Sequence, residues 1–71
     1  MTKAQLSEIF TDSWEFMKKI GFDDLKTEKQ IEDMMNEAIK RTEKYKDTEQ
    51  HKFAVDIFTV ITTHYSMGYK G

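Results

Sequence analysis

Apolar residues in the first part of the chain recur every three or four positions, which is the spacing of an amphipathic helix. Thr2 and Gln5 have the Thr-x-x-Gln spacing of a capping box. Gly21 is placed to end the helix in the left-handed conformation, with Phe22 folding back onto the helix end. We therefore predict a first helix over about residues 3–20. The residues of its apolar face are Leu6, Ile9, Phe10, Trp14, Met17 and Ile20, with Phe16 at the margin.

A second apolar stripe follows Thr27 and Gln30, which repeat the capping-box spacing. The stripe predicts a second helix over about residues 28–46. Because Met34 and Met35 are adjacent, only one of them can point fully inward. The residues of this stripe are Ile31, Met34, Met35, Ala38, Ile39, Thr42 and Tyr45.

An uninterrupted polar segment, Lys46 to Lys52, separates the second stripe from the third. The apolar pattern changes phase across it by roughly 80° on a helical wheel. A turn at residues 46–48 followed by a new helix explains both features, with Asp47 or Thr48 as the cap and Gln50 completing an Asp-x-x-Gln spacing. No glycine or proline enforces a turn here. A single helix from about residue 28 to residue 66, covered by a partner chain, is therefore the alternative.

The last segment, KFAVDIFTVITTHYSMGYKG, is rich in β-branched residues, but its apolar positions do not alternate as they do in a strand. They follow helical spacing and predict a third helix over about residues 49–67, ending near Gly68. Its apolar arc is about 200° wide, which is more than a surface helix needs. Ile57 and Ile61 lie in the middle of this arc, and we expect both to be buried.

Together these elements predict an all-α fold in which residues 1–71 form a single helical domain. The expected architecture is a small antiparallel three-helix bundle, either complete in itself or completed by dimerisation. The chain has no cysteine, so no disulfide can stabilise so small a core. Neither a signal peptide nor a membrane span is evident, and the expected location is the cytoplasm.

The charge and the motifs of the chain favour a non-enzymatic protein without a cofactor. The formal net charge of −2 is too balanced to predict direct nucleic-acid binding. No phosphate-binding loop, cysteine metal site or nucleophile elbow is present. Whether His51, Asp47 and His64 bind a metal stays open, although solvated histidines are the commoner arrangement.

The surplus apolar edge of the third helix is the predicted partner-binding site, because aromatic residues often anchor interfaces. The partner is another protein or a second copy of the chain, which then forms a homodimer. The residues predicted at this edge are Val55, Phe58, Thr62, Tyr65 and Tyr69.

The function predicted from these features is a small protein-binding module. In size and composition the chain is similar to small phage and mobile-element proteins, many of which act as inhibitors or adaptors that dock on a host protein. Anti-CRISPR and other anti-defence proteins are examples. One alternative is a DNA-linked regulator built on a helix-turn-helix, although the third helix contains no arginine with which to read DNA. The other is a self-associating structural helical protein.

Overall fold

The computed structural model describes residues 1–21 and 25–67. Within these residues the chain forms three helices, α1 (Lys3–Ile20), α2 (Glu28–Glu43) and α3 (Gln50–Ser66), and all three pack against one another. The predicted all-α three-helix bundle is confirmed. The predictions that concern Phe22, Gly68 and Tyr69 lie outside the described residues.

Side-chain contacts show that α1 and α2 run in opposite directions. Near the end of α1, Lys19 Nζ lies 3.0 Å from Glu37 Oε1, in the middle of α2. Earlier in α1, Asp12 accepts a hydrogen bond from Tyr45, which follows the end of α2. The later position on α1 thus contacts the middle of α2, and the earlier position contacts the segment after its end, as expected for antiparallel helices.

Aromatic contacts show that α1 and α3 run in the same direction. The ring centroids of Phe10 and Phe53 are 6.0 Å apart, and those of Phe16 and Phe58 are 4.9 Å apart. Since α3 is also in contact with α2, it has neighbours on two sides. Contact with two helices buries much of the apolar arc of α3, although Val55 and Val60 stay exposed.

The hydrophobic core consists of two clusters of buried side chains, and α3 contributes to both. The larger contains Phe16, Leu25, Met34, Ala38, Phe58 and Tyr65. The smaller contains Ile9, Tyr45 and Ala54. Met34 is buried and Met35 is exposed, as expected for adjacent methionines on one helix.

Both predicted capping boxes are formed, at Thr2 with Gln5 and at Thr27 with Gln30. At the other end of α1, the N–H of Gly21 donates to the carbonyl oxygen of Met17 at 3.0 Å. Gly21 has φ 94° and ψ 173°. Its φ is positive as predicted, but its ψ lies far from the left-handed helical region, so the prediction of a left-handed helical cap is wrong.

The chain reverses between α2 and α3 because Asp47 adopts a φ of 65°. This left-handed residue ends the helical path without glycine or proline, so the predicted turn is confirmed and the continuous helix is not formed. The Asp-x-x-Gln cap is also not formed. Thr48 Oγ1 instead accepts from the backbone N–H of Gln50 at 3.2 Å, and the Gln50 side chain donates to the carbonyl oxygen of Gln5 in α1.

The inward faces of α1 and α3 differ from the predicted ones. In α1, Phe16 is fully buried although it was placed at the margin, while Phe10 and Trp14 are about half exposed. In α3, Ile57 and Ile61 were expected to be buried and are only partly so. Each helix is rotated relative to its predicted orientation, since the positions of its two neighbours decide which part of a wide arc faces inward.

Candidate functional site

The residues predicted to form the partner-binding edge of α3 lie in different environments. Phe58, Thr62 and Tyr65 are buried, with exposed fractions of 2%, 6% and 6%. Their burial contradicts an exposed edge made of these side chains, because the other two helices cover them. Val55 is 37% exposed, and Tyr69 lies outside the described residues.

A shallow groove between α2 and α3 contains three of the predicted residues, and we call it the α2–α3 groove. It has a volume of about 130 Å³, and in the described part of the chain no charged side chain lines it. The lining residues are Met35, Ala38, Ile39, Thr42, Val55, Phe58, Thr59 and Thr62. The groove is therefore an apolar concave surface with a few threonine hydroxyls.

The α2–α3 groove has a buried floor and an exposed rim. Ala38 and Phe58 lie in the floor, with exposed fractions of 7% and 2%. Met35, Ile39 and Val55 form the rim, with exposed fractions of 43%, 54% and 37%. The core thus holds the floor in place, while the rim offers apolar area that another molecule could bury.

Three glutamates lie on the same face of α2 as Met35 and Ile39, and we call them the acidic edge: Glu28, Glu32 and Glu43. On a helical wheel they lie with Met35 and Ile39 inside an arc of about 80°. All three are exposed. Within the described part of the chain none of them forms an ion pair.

A second exposed apolar region lies on α1, at Phe10 and Trp14, which are 53% and 50% exposed. The ring of Phe10 packs edge-on against Phe53, and Lys18 Nζ lies 5.9 Å from the ring of Trp14. Within the described residues, neither Phe10 nor Trp14 lines a cavity of the kind formed between α2 and α3. The α2–α3 groove is the better candidate because binding sites are typically concave and apolar.

A larger cavity of about 430 Å³, lined by both polar and apolar side chains, lies between the end of α1 and the beginning of α2. Its charged groups are already satisfied. Glu37 bonds to Lys19 at 3.0 Å and to Arg41 at 2.7 Å, and Asp33 lies 3.5 Å from Lys29. The hydrogen bond from Lys19, with further help from Arg41, lowers the pKa of Glu37 despite its partial burial. Paired charges of this kind leave little free binding capacity for a ligand.

A polar cluster at the opposite end of the bundle joins α1 to the end of α2. Asp12 accepts hydrogen bonds from Tyr45 and Lys44. Burial by itself would raise the pKa of Asp12, but the hydrogen bonds from Lys44 and Tyr45 outweigh it and the pKa is lowered. Burial, together with the Asp12 carboxylate, raises the pKa of Tyr45. Neither group is poised to exchange a proton near neutral pH, so the cluster has a structural character rather than a catalytic one.

The possible metal site at His51, Asp47 and His64 is not assembled. The two histidines lie on α3 at positions separated by about 20 Å along the helix axis. Within residues 1–21 and 25–67, no three histidine, cysteine or acidic side chains come together as metal ligands. The ring of His64 packs edge-on against Tyr65, with a centroid distance of 5.9 Å.

The sequence interpretation missed Met35, Ile39 and the acidic edge as parts of a site. The sequence feature that could have revealed Met35 and Ile39 is the width of the apolar stripe on α2. The two margins of so wide a stripe cannot both face the core. Met35 and Ile39 lie at the margin next to Glu28, Glu32 and Glu43, and an apolar margin beside unpaired charges is typical of an exposed helix face.

Comparisons with known proteins add no relative from which a function could be transferred. No family model, no curated protein and no solved structure matches this chain. Among the described residues, none of the helices combines the length and the apolar character needed to cross a membrane.

Proposed function

We propose that the protein is a small non-enzymatic protein-binding module whose contact surface is the α2–α3 groove. The observation that carries this proposal is the combination of a buried apolar floor with the exposed rim of Met35, Ile39 and Val55. Interface cores are enriched in methionine and aromatic residues and are poor in charge. The flexible thioether of Met35 can also adapt to the shape of a partner.

The biological role we propose is that of an inhibitor or adaptor of phage or mobile-element type that docks on a host protein in the cytoplasm. An anti-CRISPR or other anti-defence protein is an example of this class. The small size and the balanced charge of the chain support this role. So does the nature of the polar clusters, whose ionised groups are paired with one another.

The test compares two variants that place the same charge on different faces of the molecule. Ile39 and Phe10 have almost equal exposed fractions, 54% and 53%, but only Ile39 lies at the groove. We expect Ile39→Asp to abolish retention of the partner in an affinity capture from host cells, and Phe10→Asp to preserve it. Equal retention by both variants would place binding elsewhere, and the absence of any specific partner would remove the proposal.

Self-association is a second candidate, favoured by the same exposed rim, since a small domain can bury apolar area against its own copy. Sedimentation velocity tests it directly, with the expectation that Ile39→Asp dissociates a wild-type dimer. No observation among the described residues favours the DNA-linked regulator. Lys52 on the exposed side of α3 is ion-paired with Asp56 at 3.2 Å, so the two side chains together present no net positive charge to a phosphate.

A further inference from the structure

We propose that the occupant of the α2–α3 groove is an amphipathic helix of a partner protein, with lysine or arginine along one flank. This inference rests on the proposed function and names the chemistry of the partner. It follows from the shape of the groove and from the charges beside it.

The shape of the groove favours a helix. The α2 residues that line it extend from Met35 to Thr42, which corresponds to about 10 Å along the helix, or two turns. A helix laid along such a groove inserts apolar side chains at positions i, i+3 or i+4, and i+7. The described part of the chain has no strand whose edge could pair with an extended peptide.

The acidic edge specifies the charge of the partner. Glu28, Glu32 and Glu43 are exposed and unpaired within the described residues, and they lie beside the rim rather than inside the groove. From Glu28 to Glu43 the edge extends about 22 Å, which matches a partner helix of about 15 residues. Two lysine or arginine residues near one end of that helix would face Glu28 and Glu32, and one near the other end would face Glu43.

The opposite rim carries no comparable charge, which fixes how the partner helix is rotated about its axis. On α3 the rim consists of Val55 and Thr59, and the nearby Lys52 and Asp56 neutralise each other at 3.2 Å. A basic flank therefore gains electrostatic energy only when it lies over α2. Charge complementarity of this kind mainly sets specificity and orientation.

A second copy of the chain fits the groove less well. A symmetric contact through Met35 and Ile39 would place the acidic edge of one copy beside that of the other. If a second copy used the exposed apolar face of α1 instead, its Lys18 would lie near the acidic edge. This lysine is already paired with Glu15 at 2.9 Å. A foreign basic helix has neither disadvantage.

The test uses two synthetic amphipathic helices of about 15 residues with the same leucine pattern, one with a lysine flank and one with a glutamate flank. Binding to isotope-labelled protein is followed by chemical-shift mapping and by titration across salt. We expect the lysine peptide to bind, with the largest shifts at Met35, Ile39, Val55 and Thr59. We expect binding to weaken with added salt, which screens exposed charges.

The matched variants remove equal charge from different places. Neutralising the acidic edge with Glu28→Gln, Glu32→Gln and Glu43→Gln is expected to weaken the lysine peptide by about tenfold, since each exposed charge pair contributes modestly. A control that neutralises three carboxylates away from the edge is expected to change affinity by less than about twofold. The control substitutions are Glu15→Gln, Asp33→Asn and Glu49→Gln.

Each other result overturns the inference in a recognisable way. Equal binding of the glutamate peptide would show that charge does not select the partner. Shifts at Phe10 and Trp14 would move the site to α1, and a dimer that dissociates in Ile39→Asp without peptide binding would make a second copy the occupant. If a captured partner depends on Ile39 but not on the acidic edge, this inference fails while the proposed function stands.

Discussion

At the scale of single residues, the contact between Asp12 and Tyr45 shows how one buried polar pair holds two helices together. Tyr45 is 2% exposed, and its hydroxyl donates to Asp12, which also contacts Lys44. Each partner satisfies a group that would otherwise be costly to bury. The pair fixes the beginning of the α2–α3 turn against α1, and its strength depends on pH through the carboxylate.

We predict that acid destabilises the protein partly through Asp12. Its pKa is lowered in the folded state because the bonds from Lys44 and Tyr45 outweigh the opposing effect of burial. A carboxyl with a lowered folded pKa contributes stability that is complete above its unfolded pKa, near 4, and that is lost as pH falls through the folded pKa. Asp12→Asn should therefore lower the free energy of unfolding by about 1–2 kcal/mol at pH 7 and flatten its acid dependence.

Urea unfolding at a series of pH values checks this prediction. The control is Asp33→Asn, which removes an exposed carboxylate paired with Lys29 at 3.5 Å. We expect this control to stay within about 0.5 kcal/mol of the wild type at pH 7. An Asp12→Asn protein with the wild-type acid dependence would show that the contact contributes nothing through its charge.

At the scale of the elements, the turn between α2 and α3 depends on Asp47 because its φ of 65° is unfavourable for most side chains. Asp47→Gly should be neutral or stabilising by up to about 1 kcal/mol, since glycine adopts this conformation without strain. Asp47→Val should cost about 1–2 kcal/mol. Thermal unfolding followed by circular dichroism measures both, with exposed Lys46→Val as the control. A more helical and more stable Asp47→Val protein would mean that the turn is not the preferred conformation.

The sequence predicts local features of this fold better than it predicts which helix faces are buried. Thr2 and Thr27 mark the beginnings of α1 and α2 because a capping box is formed by residues close together in the chain. The inward position of Phe16 and the half-exposed one of Phe10 depend on where the other helices lie. The left-handed conformation of Asp47 escaped prediction because aspartate adopts it only occasionally.

The candidate site was predictable only in part, for the same reason. Val55, Phe58 and Thr62 line the groove, but Phe58 and Thr62 belong to its floor rather than to an exposed edge. A helical wheel gives the width of an apolar arc and does not say which side a neighbouring helix covers. The width of the stripe on α2 indicates that Met35 or Ile39 is exposed, but that both line a groove depends on the placement of α3 beside α2.

At the scale of the whole molecule, a single side chain serves both the core and the groove. Phe58 is 2% exposed, packs against Phe16 and also lines the floor of the α2–α3 groove. Truncating Phe58 should therefore lower the stability of the fold as well as change the groove. We predict that Phe58→Ala costs about 3–5 kcal/mol, which approaches the total stability of a small domain.

The matched comparison for this prediction is Ile39→Ala at the rim. Because Ile39 is 54% exposed, its truncation should change the free energy of unfolding by no more than about 0.5 kcal/mol. Thermal melting of both variants separates the roles of floor and rim. A Phe58→Ala protein that melts with the wild type would show that α3 does not present Phe58 to the core.

The half-exposed indole of Trp14 has a spectroscopic consequence. Trp14 is the only tryptophan of the chain, so all intrinsic indole emission comes from this one position on α1. In the described part of the chain the α2–α3 groove is lined by α2 and α3, with no residue from α1. Indole fluorescence therefore reports on the integrity of α1 and on the solvent around it, whereas a tryptophan-free ligand in the groove leaves it almost unchanged. A dye quencher on the ligand would make the same indole a distance marker for groove occupancy.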